Sequence, residues 1–133
     1  MAAHQHKKMV VFSKYVEGIM RQISDSHTIL QNLQDKPGDL DVIKRENARI
    51  SGILHVLTNK LEENPKESED YQYFLAPSKY YLESYDFFRE IDTVSLLYSE
   101  DPMRLKRIRL AILGALDEKN LIGHMRAFLR GLE

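Results

Sequence analysis

The chain has 133 residues, 43% of them hydrophobic, with 19 Lys and Arg balanced by 20 Asp and Glu. That length supports one domain, and the near-neutral balance, with a pI of about 6.5, weakens any general attraction to nucleic acid. Zero cysteines exclude a disulfide scaffold, thiolate zinc sites and a cysteine nucleophile. No apolar run exceeds four residues and the start, Met-Ala-Ala-His-Gln-His, has no apolar h-region, so neither a membrane span nor a secretory signal is expected. A single cytoplasmic domain over residues 1–133 is the expectation, with residues 1–7 as a flexible tail.

From Met9, steps of three and four select Met9, Phe12, Val16, Ile19, Ile23, Ser26, Leu30 and Leu33. From Leu40 they select Leu40, Ile43, Asn47, Ile50, Leu54, Leu57 and Leu61. Thirteen of these fifteen positions are apolar, where random placement at 43% would give about 6.5. The pattern is an a/d seam on two long helices, about residues 8–35 and 39–63. Pro37, Gly38 and Asp39 between them supply a helix stop, a left-handed turn and a cap. So short a connection makes the helices antiparallel, a helical hairpin.

If Leu33 meets Leu40, paired seam positions have numbers summing to about 73, and the two polar positions, Ser26 and Asn47, meet. A hydroxyl facing a buried amide offers it a partner and penalises slipped registers. The same register places His27 near Glu46 in a surface hydrogen bond.

Asn64-Pro65-Lys66-Glu67 reads as an N-cap with Pro at N1, opening a helix that ends near Ala76, before Pro77. Alternation of Tyr71, Tyr73 and Leu75 makes a short strand the competing reading. Ser78 then caps a helix to about Tyr98, with Leu82, Tyr85, Phe88, Ile91 and Leu96 among its apolar positions. Asp101-Pro102 opens the next, carrying Leu105, Ile108, Ile112 and Leu116, and Asn120 caps a last one with Leu121, Met125, Phe128 and Leu132. The fold class is therefore all-α, a long antiparallel hairpin packed with a smaller C-terminal helical bundle.

Charge is uneven: net +3 over residues 1–61, −6 over 62–92 and +2 over 93–133. The acidic third holds eight of the twelve aromatics, more than one helix face usually buries. Tyr71, Tyr73, Phe74, Tyr80, Tyr81 and Phe87 are accordingly the candidate partner-binding residues, since aromatic anchors carry much interface energy. The competing reading is ordinary core. The off-seam apolar residues Val10, Val11, Tyr15, Ile29, Val42, Ile53 and Val56 also need cover, from the C-terminal helices, a second copy in a homodimer, or a partner protein.

Arg104, Lys106, Arg107 and Arg109 are candidate nucleic-acid-binding residues, or else solvated partners of neighbouring acids. No Glu-x-x-His or His-Glu-x-x-His occurs, so neither a metal nor a cofactor is expected. With Met1 removed, Ala2-Ala3-His4 has the geometry of a square-planar Cu(II) or Ni(II) chelate, incidental in an unstructured tail. Phosphate loops and nucleophile elbows are missing, and the acidic pairs Glu62-Glu63 and Asp117-Glu118 fall at helix ends, where solvation explains them. Arg21 to His27 and Arg49 to His55 resemble the loose Arg-x(4–6)-His spacing of HEPN-type ribonucleases, which are helical bundles. In that family the motif usually lies late in the domain, whereas both matches here lie in the first half. A non-enzymatic interaction module, adaptor or regulator, is the leading expectation, a nucleic-acid-binding regulator the second, and a HEPN-like ribonuclease the third.

Overall fold

The computed structural model describes residues 2–132, with side chains described over 12–132. Residues 2–7, expected as a tail, run as helical backbone at the start of the first helix, while the Ala2-Ala3-His4 chelate and the side chains of Met9, Val10 and Val11 lie outside the described side chains. The elements are α1 (Ala2–Asn32), α2 (Asp39–Glu63), a 3-10 segment (Glu69–Phe74), α3 (Leu75–Ser84), α4 (Phe87–Leu97), α5 (Pro102–Asp117) and α6 (Leu121–Arg130). The protein is all-helical, with no strand among the described residues. Among these residues no helix is long and apolar enough to cross a membrane.

Packing of α1 on α2 follows the seam. Val16, Ile19, Ile23 and Leu30 of α1 are buried, as are Leu40, Ile43, Ile50, Leu54, Leu57 and Leu61 of α2. Ser26 reaches Glu46 at one end, while Lys60 lies over the Tyr15 ring at the other, so the two helices run antiparallel. Lys36 to Asp39 forms the turn: Asp39 N donates to Lys36 O at 3.0 Å, and Gly38 takes a φ of 96°. Pro before a glycine of positive φ is a type II turn. Asp39 accepts from the Lys36 N–H at 3.0 Å, so it braces the turn instead of capping α2 from the N-cap position, which Gly38 occupies.

The polar pair in the seam differs from expectation. Ser26 donates to Glu46 Oε1 at 3.1 Å, not to Asn47, whose Nδ2 has no partner among the described residues. Glu46 is only 1% exposed, and Arg45 (3.3 Å) and Arg49 (3.4 Å) bring guanidinium groups to its carboxylate. A carboxylate reaches further than an amide and accepts several donors at once, so it captures the hydroxyl.

Beyond α2 the chain turns back on side-chain bonds to the helix's own last carbonyls. Asn64 Nδ2 donates to Lys60 O (3.0 Å) and Gln72 Nε2 to Leu61 O (3.0 Å), with Ser68 Oγ set between the carbonyls of Leu61 and Asn64. Asn64 thus ends α2 and opens no helix, because the orphaned carbonyls of a helix end compete for its amide. Nor does Pro77 stop one. It sits in the first turn of α3, where its missing N–H would be unpaired anyway. Ser78 lies inside α3, buried, with no partner for its Oγ among the described residues, and caps no helix there.

The expected single helix from 78 to 98 is two, broken at Tyr85-Asp86, where Tyr85 turns extended. The break resets the helical phase. In α4 it buries Phe87, Ile91 and Val94 and leaves Phe88 and Leu96 exposed. Asp101 caps α5 as expected, accepting from Met103 N (2.9 Å) and Arg104 N (3.4 Å) with Pro102 at the first position. Asn120 precedes α6 in a left-handed conformation, φ 53°, with no side-chain cap bond. Helix α1 packs on α2, α5 and α6, and α2 packs on α3, α4 and α5.

Candidate partner-binding surface

Four of the six candidate aromatics point inward. Tyr71, Phe74, Tyr81 and Phe87 are buried, Tyr80 is half-buried and Tyr73 is exposed. Tyr71 stands edge-on to Phe128 of α6 at 5.2 Å and lies 6.3 Å from Phe12 of α1; Phe74 meets Phe128 edge-on at 5.9 Å. The 3-10 segment therefore joins α1 to α6 through ring contacts. A second cluster joins α3 to the end of α5. Tyr80 donates to Glu118 Oε1 at 2.9 Å and Tyr85 donates to its other oxygen. The Glu118 carboxylate pushes the Tyr85 phenol up to about 12, and the two hydroxyls hold Glu118 below its ordinary value. Burial, with a smaller contribution from Tyr85, raises the Tyr81 phenol.

The basic cluster is split as well. Arg109 is buried and donates to both Asp35 oxygens, at 2.8 and 3.0 Å. Arg104 stacks on the Tyr98 ring at 4.2 Å, while Lys106 and Arg107 stay exposed. Arg104 and Arg107 instead border a groove of about 370 Å³ between α4 and α5, with Arg89, Glu90 and Thr93 on the opposite wall and Val94 and Ile108 among its lining. Where α4 ends and α5 begins, Leu96, Leu97 and Met103 are 83%, 69% and 70% exposed. Neither Arg89 nor this leucine pair belongs to the candidate residues that composition and motifs mark. The adjacency of Leu96 and Leu97 carries no signal of its own, since adjacent pairs such as Ile112-Leu113 and Leu121-Ile122 are buried elsewhere in the fold.

Of the off-seam apolar residues, Ile29, Val42 and Ile53 are half-buried, and Tyr15 and Val56 are exposed. Tyr15 and Val56 border a second groove between α1 and α2, with Gly18, Ile19 and Ile53.

His27 does not face Glu46. One residue past Ser26, it points instead toward α5 and α6, and is 4% exposed. Arg126 of α6 closes over this stretch of α1: Nε donates to Ser24 Oγ (2.9 Å), and Nη2 donates to Thr28 Oγ1 (3.0 Å) and lies 3.2 Å from His27 Nδ1. A guanidinium has no acceptor, so Nδ1 must be the unprotonated nitrogen and Nε2 carries the proton. Asp117 Oδ1 lies 3.4 Å from that Nε2, long for a formed hydrogen bond. Burial lowers the His27 pKa, Asp117 partly opposes the shift, and Arg126 adds to it. The folded protein therefore resists a proton that the unfolded chain accepts below about 6.5. Stability should be complete above that pH and fall as pH drops from 7 to 5. The urea midpoint, followed by circular dichroism, should decline over this window, and His27→Gln should flatten the decline while lowering the midpoint at pH 7. A midpoint that rises toward pH 5 would contradict the assignment.

Arg21 is exposed while His27 is buried, and Arg49 is held on Glu46 while His55 is exposed. No cluster of three or more His, Asp or Glu able to hold a metal occurs among the described residues. No family model, no curated protein and no solved structure matches the chain.

Proposed function

We propose that this chain is a non-enzymatic protein–protein interaction module, an adaptor or regulator, whose partner covers the exposed edge where α4 passes into α5. In this reading α1 and α2 form a hairpin frame, and the smaller C-terminal bundle presents the contact surface. One observation carries it: Leu96, Leu97 and Met103, three large apolar side chains within eight residues, are each more than two-thirds exposed. Single exposed apolar residues are ordinary, but a cluster of this kind gains on being covered, at about 1.5–3 kcal/mol for each side chain fully buried. The aromatic candidates contribute less to such a surface, since four of the six are buried. A nucleic-acid reading keeps Arg104, Lys106 and Arg107 but loses Arg109 to Asp35.

The test is site-specific photo-crosslinking in the cells of the native host. A benzophenone side chain at Leu96 should yield one discrete protein adduct, and one at Lys44, exposed on α2, should not. Leu97→Glu should abolish the adduct with the melting temperature unchanged. Equal labelling from both sites, or an adduct to RNA or DNA alone, would overturn the proposal.

A further inference from the structure

We infer that the groove between α4 and α5 receives an acidic amphipathic helix of the partner protein, an inference that rests on the interaction reading above. Three guanidinium groups, Arg89, Arg104 and Arg107, border the groove against one carboxylate, Glu90. Neither Arg89 nor Arg107 makes an ion pair among the described residues. Arg104 is positioned by the Tyr98 ring beneath it, and stacking leaves its in-plane donors free for a carboxylate. The charge complement of this rim is an acidic segment.

The lining and one end of the groove are apolar, which sets the rest of the occupant's chemistry. Val94 and Ile108 line it. Leu97 lies one turn past Thr93 on the stripe of α4 that borders the groove, and Leu96 one turn past the Arg89–Thr93 edge. On α5, Met103, Arg107 and Leu110 share the outer edge by the same spacing, and Met103 and Leu110 are exposed. Leu96, Leu97 and Met103 thus gather at the end near the α4–α5 turn beside Arg104, while Arg107 lies about one turn and Arg89 about two turns further along the walls. A ligand with carboxylates alone would leave the leucines in water. A nucleic-acid backbone would do the same. Two helical walls suit a third helix laid along them, with anchors at i, i+3 or i+4 and i+7. The 11 residues of α4 span about 16 Å, enough for roughly three turns of such a partner.

The probe is a fluorescein-labelled peptide of roughly 14 residues, Leu at helical spacing and Glu elsewhere, titrated with the full chain and read by fluorescence anisotropy. Controls are the scrambled peptide, its Lys-for-Glu counterpart, polyglutamate and a single-stranded DNA oligonucleotide. Saturable binding of the acidic helix alone is expected, weakening as salt rises from about 50 to about 500 mM. Arg104→Glu with Arg107→Glu, Arg89→Glu alone, and Leu97→Glu should each weaken it at least tenfold, with circular dichroism showing that each variant is folded. Equal binding of polyglutamate or DNA would overturn the inference by showing simple charge attraction. Self-association that blocks the groove would overturn it in favour of a second copy. If no peptide binds while the Leu96 crosslink persists, the partner is of another chemistry and the interaction reading stands. Loss of both would end both.

Discussion

Arg109→Ala is expected to destabilise the protein by about 3–5 kcal/mol, the usual cost of removing one member of a buried ion pair. For a chain of this size that lowers the melting temperature by roughly 10 °C or more. With the pair intact, the side chains of Arg109 and Asp35 are 10% and 12% exposed, so both charges are largely withdrawn from water. The guanidinium meets the carboxylate in a two-pronged fork and adds a longer bond from Nη1 to Leu30 O (3.4 Å), a carbonyl in the last turn of α1 that has no helical partner of its own. Asp35 is held for this contact in the left-handed region, φ 62°, which an aspartate tolerates better than most residues. Arg109→Lys should be nearly as damaging, since an ammonium cannot reproduce the fork. Urea unfolding of Arg109→Met, Asp35→Asn and the double variant tests the coupling: the double variant should recover much of the loss, because the stranded charge is gone. A single-variant cost below about 1 kcal/mol would mean the pair behaves as a solvated surface bridge.

Phe74→Ala should cost about 3–5 kcal/mol, and its neighbour Tyr73→Ala under about 1 kcal/mol. Phe74 is 1% exposed, edge-on to Phe128, and its loss opens a cavity among rings contributed by distant segments. Tyr73 is 53% exposed, and although its ring lies 4.1 Å from that of Phe74, water can take its place. The comparison separates the two roles that composition leaves open for the aromatic segment. If instead both substitutions left the melting temperature unchanged and weakened partner capture, the segment would be an interface. Thermal unfolding followed by circular dichroism distinguishes these outcomes.

The difference between adjacent residues shows where sequence reading stops. Tyr71, Tyr73, Phe74, Tyr80, Tyr81 and Phe87 are equivalent as composition, yet Tyr71 and Phe74 are seated in the core by Phe12 and Phe128, more than fifty residues away in each direction, and Tyr81 and Phe87 are buried in a separate cluster with Tyr85. Arg109 and Arg107 likewise belong to one basic run. One is spent on Asp35, 74 positions back, and the other faces water at the groove. The groove itself depends on the break at Tyr85, whose extended backbone resets the phase of α4, and the Tyr85 hydroxyl donates to Glu118 just past the end of α5, a contact no local pattern announces.

Read without coordinates, the chain determined its all-helical class, the buried stripes of α1 and α2, the turn at Pro37-Gly38 and the start of α5 at Asp101-Pro102. These rest on periodicity and on bonds spanning two to four residues, so they are written within a few turns of chain. Tertiary structure alone decided that Glu46 and not Asn47 receives Ser26, that His27 lies under Arg126, and which basic and apolar side chains remain exposed along α4 and α5. Those outcomes are competitions among donors, acceptors and apolar surfaces that become neighbours only after the helices pack, and the winner is set by reach and desolvation in three dimensions.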